Sequence, residues 1–187
     1  MQRIFHAAIG LLIASVLACP GRAAVVEATA NGFAIEQTVH IAAPPAKVYD
    51  ALVHPAEWWD SGHTFSGSAA NLSIEPHAGG CFCEALADGG SVQHAQVVVA
   101  APGETLRLRG PLGPFQDQGV DGALTFALKA EAGGTELTLS NNIGGFMKGG
   151  FGDWPGRADA MLAQQMAHLK QYLETGSPGL KPAEDLP

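Results

Sequence analysis

From Phe33 to Ala42 apolar and polar side chains alternate: Phe33, Ile35, Val39 and Ile41 fall on one parity, Glu36, Thr38 and His40 on the other. A period of two predicts a strand with one buried face. The stretch PPAKVYDALVHPAEWW follows, where Pro44 and Pro45 suit a helix entry and Val48, Tyr49 and Leu52 recur at helical spacing. Pro55 closes that helix ahead of a second short one carrying Trp58 and Trp59. Six further segments, 71–76, 80–86, 91–100, 105–110, 122–130 and 135–140, alternate or are rich in strand-forming residues. Asp88-Gly89, Pro102-Gly103 and Gly133-Gly134 separate them as turns. Such short connections imply antiparallel neighbours. After a glycine-rich loop over 141–154 the period becomes 3.6: Ala158, Leu162, Met166, Leu169 and Leu173 form a stripe, with Met161, Gln165 and Tyr172 at its margin. Gly176 and Pro178 stop this helix. The expected architecture is α+β, one antiparallel sheet of about seven strands curled around a long last helix.

At 187 residues the chain has room for one core. Its first 24 residues fall outside the pattern. Arg3 precedes Ala7 to Ala18, an apolar run without charge, and small residues follow, which is the layout of a secretory signal peptide cut near Ala23 or Ala24. The run is too short to span a bilayer comfortably, so no transmembrane segment is expected after cleavage. Val16-Leu17-Ala18-Cys19 also has the form of a lipobox, which makes a lipid anchor at Cys19 the alternative. The expected organisation is a signal peptide over 1–24, an arm over 25–32, one domain over 33–175 and a disordered tail over 176–187.

The formal charge is −8. Loss of the leader removes Arg3 and Arg22, leaving eight basic residues against eighteen acidic ones, a charge near −10. That balance argues against nucleic acid and anionic membrane surfaces as partners. An exported location and an oxidising compartment are the matching expectations.

Four pieces in order resemble the SRPBCC superfamily, the START-like or helix-grip fold, nearest its chaperone ATPase activator homologue and polyketide-cyclase-like branch. They are PPAKVYDALVHPAEWW, IEPHAGGCF, GGTELTLS and GDWPGRADAMLAQQMAHLKQYLE, within Ile35 to Glu174. The resemblance implies a deep cavity between sheet and last helix that takes a small apolar molecule such as a lipid, a polyketide or an aromatic compound. It carries no specific activity, since the fold hosts binders and enzymes alike. No cofactor is expected. Trp58, Trp59, Phe82, Cys83, His94, Phe126, Leu162 and Met166 are the expected contacts. The loops 110–119 and 141–154 are the expected lip and flap.

Cys81 and Cys83 flank Phe82 just before a turn. A two-residue turn at Asp88-Gly89 would set Cys83 opposite His94 and Cys81 opposite Gln96, all on one face. Two small buried thiols beside a hydrogen-bonded histidine is the preferred reading. A strained disulfide is one alternative. A zinc or copper site completed by His77 is a second, though a strand offers ligands in a row where a tetrahedral ion needs convergence, so no metal is expected. A Cys–His nucleophile is a third. For an enzyme in this cavity, His94 or His63 would supply acid–base chemistry. Asp60 and His63 lie close enough in sequence to pair. A module that binds a protein partner through its apolar loops is the remaining function class.

Overall fold

The computed structural model describes residues 23–179. The signal peptide and Cys19 expectations fall almost wholly outside that range, as do residues 180–187 of the expected tail.

Eight strands form one antiparallel sheet: β1 Ala23–Thr29, β2 Gly32–Ile41, β3 Leu72–Ile74, β4 Cys81–Ala85, β5 Ser91–Ala101, β6 Thr105–Arg109, β7 Gly119–Glu131 and β8 Gly134–Phe146. Their order across the sheet is β1-β2-β8-β7-β6-β5-β4-β3. Among the described residues the α-helices are α1 Pro45–Leu52 and α2 Trp154–Thr175. The curved open sheet wraps α2, which is the helix-grip fold.

The sheet has eight strands where seven were expected. The additional one is β1, expected as an arm because Val25-Val26-Glu27 breaks alternation. The structure carries that break as a register shift between Val25 and Glu27, which keeps the segment paired to β2 despite its irregular pattern. The loop expected over 141–154 is also shorter. Its first six residues continue β8, which pairs with β7 as far as Phe146 opposite Gly119. Glycine depresses strand propensity, but a long ladder overrides it.

The core is continuous. Ile35 and Ile41 of β2, Leu106 and Leu108 of β6, Leu137 and Leu139 of β8, and Leu162 and Leu169 of α2 are all essentially sealed from solvent. Gln37 keeps the inward parity of β2, and its amide Nε2 donates to both the backbone oxygen and Oδ1 of Asp159 on α2, each at 2.8 Å. A polar side chain in the apolar row thus ties sheet to helix. Trp58 is a second buried anchor, its indole N–H donating to the Ala51 carbonyl at 2.8 Å. Gly176, at a φ of 78°, ends α2 in the left-handed cap that glycine adopts without penalty.

The β4–β5 hairpin departs from its expected register. Ala85 pairs with Ser91 and Cys83 with Gln93, while Phe82 pairs with Ala95 and Cys81 with Gln96. His94 is therefore an extra residue, a bulge between two registers that differ by one. Asp88, at a φ of 57°, and Gly89, at 77°, form the turn, which offsets the strands by one position relative to the expected two-residue loop. The bulge restores the phase beyond it. Consecutive burial of His94 and Ala95 is the mark of this insertion.

Candidate functional site

That bulge decides the site. Cys81 and Cys83 take the outer parity of β4, and Phe82 and Glu84 the inner one. The expectation that His94 lies beside Cys83 on one face is therefore corrected: His94 points inward, towards Glu84. Cys81 and Cys83 form a disulfide with their Cα atoms 5.4 Å apart, which corrects the preferred reading of two free thiols and leaves neither sulfur as nucleophile or metal ligand. Among the described residues no cluster of His, Cys, Asp and Glu is arranged to hold a metal ion.

Between the inner face of the sheet, the N-terminal half of α2 and the loops at its end lies a cavity of about 800 Å³. Apolar side chains predominate: Trp59, Phe65, Leu72 and Phe82 on one side, Leu112, Phe115 and Ile143 on another, and Trp154, Ala158 and Met161 from α2. The 112–117 segment is the expected lip, and Phe115 holds it to the start of α2 by an edge contact with Trp154 at 5.2 Å between centroids. Of the expected flap, Asn141, Ile143 and Trp154 at its two ends line the cavity, and the glycine-rich middle does not. Phe151 is buried against Phe33 and Phe146 is exposed.

Of the eight expected contacts, Trp59, Phe82 and His94 line the cavity. Trp58, Phe126, Leu162 and Met166 do not: they are buried in the core proper. Cys83 faces outward. The stripe on α2 was legible, but its centre packs against the sheet. The cavity takes Ala158 from the start of that stripe and Met161 from its margin.

Nε2 of His94 lies 2.8 Å from Oε2 of Glu84, whose side chain has no solvent exposure. The same carboxylate accepts backbone N–H groups of Phe65, at 3.1 Å, and Ser66. Burial pushes the Glu84 carboxyl up, but the hydrogen bonds from Ser66, Phe65 and His94 outweigh it and hold it below its ordinary value. The His94 ring packs between Phe82, at 5.0 Å, and Phe65, at 5.7 Å.

At the rim, the backbone N–H of Asp60 donates to Oε1 of Gln165 at 3.0 Å, and Nε2 of Gln165 meets Nδ1 of His63 at 3.0 Å. Gln164 donates to Asp60 Oδ2 at 2.6 Å. His63 does line the cavity, and its Nδ1 is 3.8 Å from the Asp60 carboxylate, so the expected proximity of these two holds. Behind them, burial lowers the His168 pKa, with Asp60 opposing and His63 assisting. Asn141, a buried side chain of β8, also stands in the cavity wall, and Thr64, Gln116, Asp117 and Arg157 add polar groups to the lining.

Sequence reasoning missed Glu84, Asn141 and Gln165. The signal for Glu84 was present: it shares parity with Phe82, and a carboxylate in an inward register needs a partner.

A family model described as polyketide cyclase / dehydrase and lipid transport matches residues 32–174, most of the chain. The chain belongs to this polyketide cyclase / dehydrase and lipid transport family. It lies within the SRPBCC superfamily, as the sequence resemblance implied. Solved structures share the fold of this family member at low identity. CalU16 from Micromonospora echinospora is 17% identical, with 85% of this chain and 86% of that one covered at a TM-score of 0.55. An AHSA1-like protein from Rhizobium etli is 18% identical, covering 83% and 91% at 0.54. A protein from Chromobacterium violaceum is 19% identical, covering 75% and 96% at 0.53. No curated protein matches the chain.

Proposed function

We propose that this protein is an exported binder of a small, largely apolar molecule held in the cavity between sheet and α2. The observation that carries the reading is a cavity of about 800 Å³ with predominantly apolar walls, into which His94 faces with the buried Glu84 carboxylate behind it. Ligand pockets of small molecules span roughly 300–1,000 Å³ and pair apolar area with a few convergent polar groups. Apolar contact supplies the affinity, and His94 and Asn141 orient the ligand. The family's description, which includes lipid transport, supports the same class of ligand. Export is supported by Arg3 followed by the uncharged Ala7 to Ala18 run. A disulfide between Cys81 and Cys83 fits an oxidising compartment.

Native mass spectrometry of protein purified from its own host tests the binding reading, together with titration by an anilinonaphthalene sulfonate. Added mass that denaturation releases, or saturable one-site binding of the probe, is the expected result. Bare protein that also fails to bind the probe would reject it.

A further inference from the structure

The hydrogen bonds around His63 and His94 fix which nitrogen of each imidazole is left for a ligand. On Gln165, Oε1 receives the Asp60 backbone N–H, which can only donate, so the other atom of that amide is the NH2 group. Gln165 therefore donates to His63 Nδ1, which must be the bare nitrogen. In the neutral ring the proton is on Nε2, leaving an N–H donor without a partner among the described residues. At Glu84 the logic is reversed. Its two oxygens already accept the backbone N–H groups of Phe65 and Ser66, so His94 Nε2 donates to it, and Nδ1 of His94 is left as a bare acceptor. Both rings carry their proton on Nε2, yet one offers the cavity a donor and the other a base. The two are mechanically linked: Phe65, two residues beyond His63, packs at a tilt against the His94 ring and gives its own N–H to Glu84.

We propose that the cavity catalyses proton transfer at a carbon next to a carbonyl in a neutral, apolar ketone, with His94 as the base and His63 as the hydrogen-bond donor to the carbonyl oxygen. This rests on the binding reading, since the ketone occupies the same cavity. His94 Nδ1 takes the proton. The C–H electron pair becomes the carbon–carbon double bond, and the carbonyl π pair moves to oxygen as an enolate held by His63 Nε2–H. Return of the proton from His94 to carbon or to oxygen restores the neutral imidazole, so the step consumes no co-reactant. A neutral imidazole that donates without losing its proton is a sufficient oxyanion partner. Glu84 acts as a positioning residue. It fixes the ring and stabilises the imidazolium formed when His94 is protonated. Gln165 positions His63.

The test follows exchange of the acidic protons of 2-tetralone into D2O by proton NMR, with the full protein and a buffer control. Displacement of the naphthalene sulfonate by the same ketone is measured in parallel. The expected result is exchange at least tenfold faster than buffer. His94→Gln should return it to the buffer rate and His63→Phe should lower it about tenfold, each compared with wild type at saturating ketone. Imidazole nitrogen spectra should show Nε2-protonated rings at both positions. Gln165→Glu, which replaces the donor to His63 with an acceptor, should move the His63 proton to Nδ1 and lower exchange as His63→Phe does. Wild-type exchange at the buffer rate overturns the proposal. If the ketone nevertheless displaces the probe, the binding reading stands without it, and if the probe itself does not bind, both fall. Exchange unchanged in His94→Gln, or a His63 ring protonated at Nδ1 in the wild type, also overturns it.

Discussion

Glu84 Oε2 receives His94 Nε2 at 2.8 Å, and the carboxylate has no contact with solvent. The pair joins neighbouring strands at the site of a one-residue bulge, and it is the only histidine–carboxylate pair among the described residues with both side chains buried. Only His94 of the pair lines the cavity, so Glu84 serves stability and fixes the ring that meets the ligand.

Replacing Glu84 by Gln should therefore destabilise the fold. The amide sets an N–H against the backbone donors of Phe65 or Ser66, and loss of one member of a buried pair costs about 3 kcal/mol. The effect is pH-dependent. Because the folded-state pKa of Glu84 lies below its ordinary value of 4.5, its contribution is complete above that value and is lost as pH falls through the lower folded value. Urea midpoints of wild type and Glu84→Gln should differ fully at neutral pH and converge in acid. A difference independent of pH would mean that the carboxylate does not titrate with unfolding.

The cysteine pair should resist alkylation until reduced. In a Cys19→Ser background, intact mass should show no adduct before reductant and two after it. Chain entropy for so short a loop gives about 1.5 kcal/mol, so Cys83→Ser should lower stability modestly without emptying the cavity, because its side chain faces outward. Two adducts in unreduced protein would refute the disulfide.

Helix positions one turn apart should separate binding from folding. Met161→Trp and Ala158→Trp project bulk into the cavity and should weaken naphthalene sulfonate binding at least tenfold with the fold retained. Leu162→Ala removes a buried side chain from the core and should cost about 3 kcal/mol. Urea unfolding and fluorescence titration of the three variants check this, and unchanged binding in both tryptophan variants would place the ligand elsewhere.

Export predicts a shortened polypeptide. Fractionation of cells carrying a C-terminal tag should place the protein outside the cytoplasm, and N-terminal sequencing should begin near Ala24 or Val25. An acylated Cys19 would show the lipoprotein alternative instead. A full-length cytoplasmic product would remove export.

The sequence by itself determined the architecture, because period two and period 3.6 are imposed by backbone geometry and survive in any packing. The strand at Phe33, the turn pairs and the α2 stripe could be read directly, as could the inward parity of Phe82. The resemblance then gave the helix grip and the idea of a cavity. Tertiary structure alone decided which buried residues face space and which face each other. Leu162 and Ala158 share the α2 stripe, and only the packed fold makes one a core residue and the other a cavity wall. His94 shows the same limit in a strand. Alternation counted back from Asp88-Gly89 sets it beside Cys83, whereas a turn offset and a bulge turn it inward to Glu84. A bulge follows from how hydrogen bonds are shared between two strands, and the pattern of one strand does not contain it. The pairing of Asp60 and His63 with Gln165 bridges more than 100 residues, a contact that exists only once the sheet has closed around the helix.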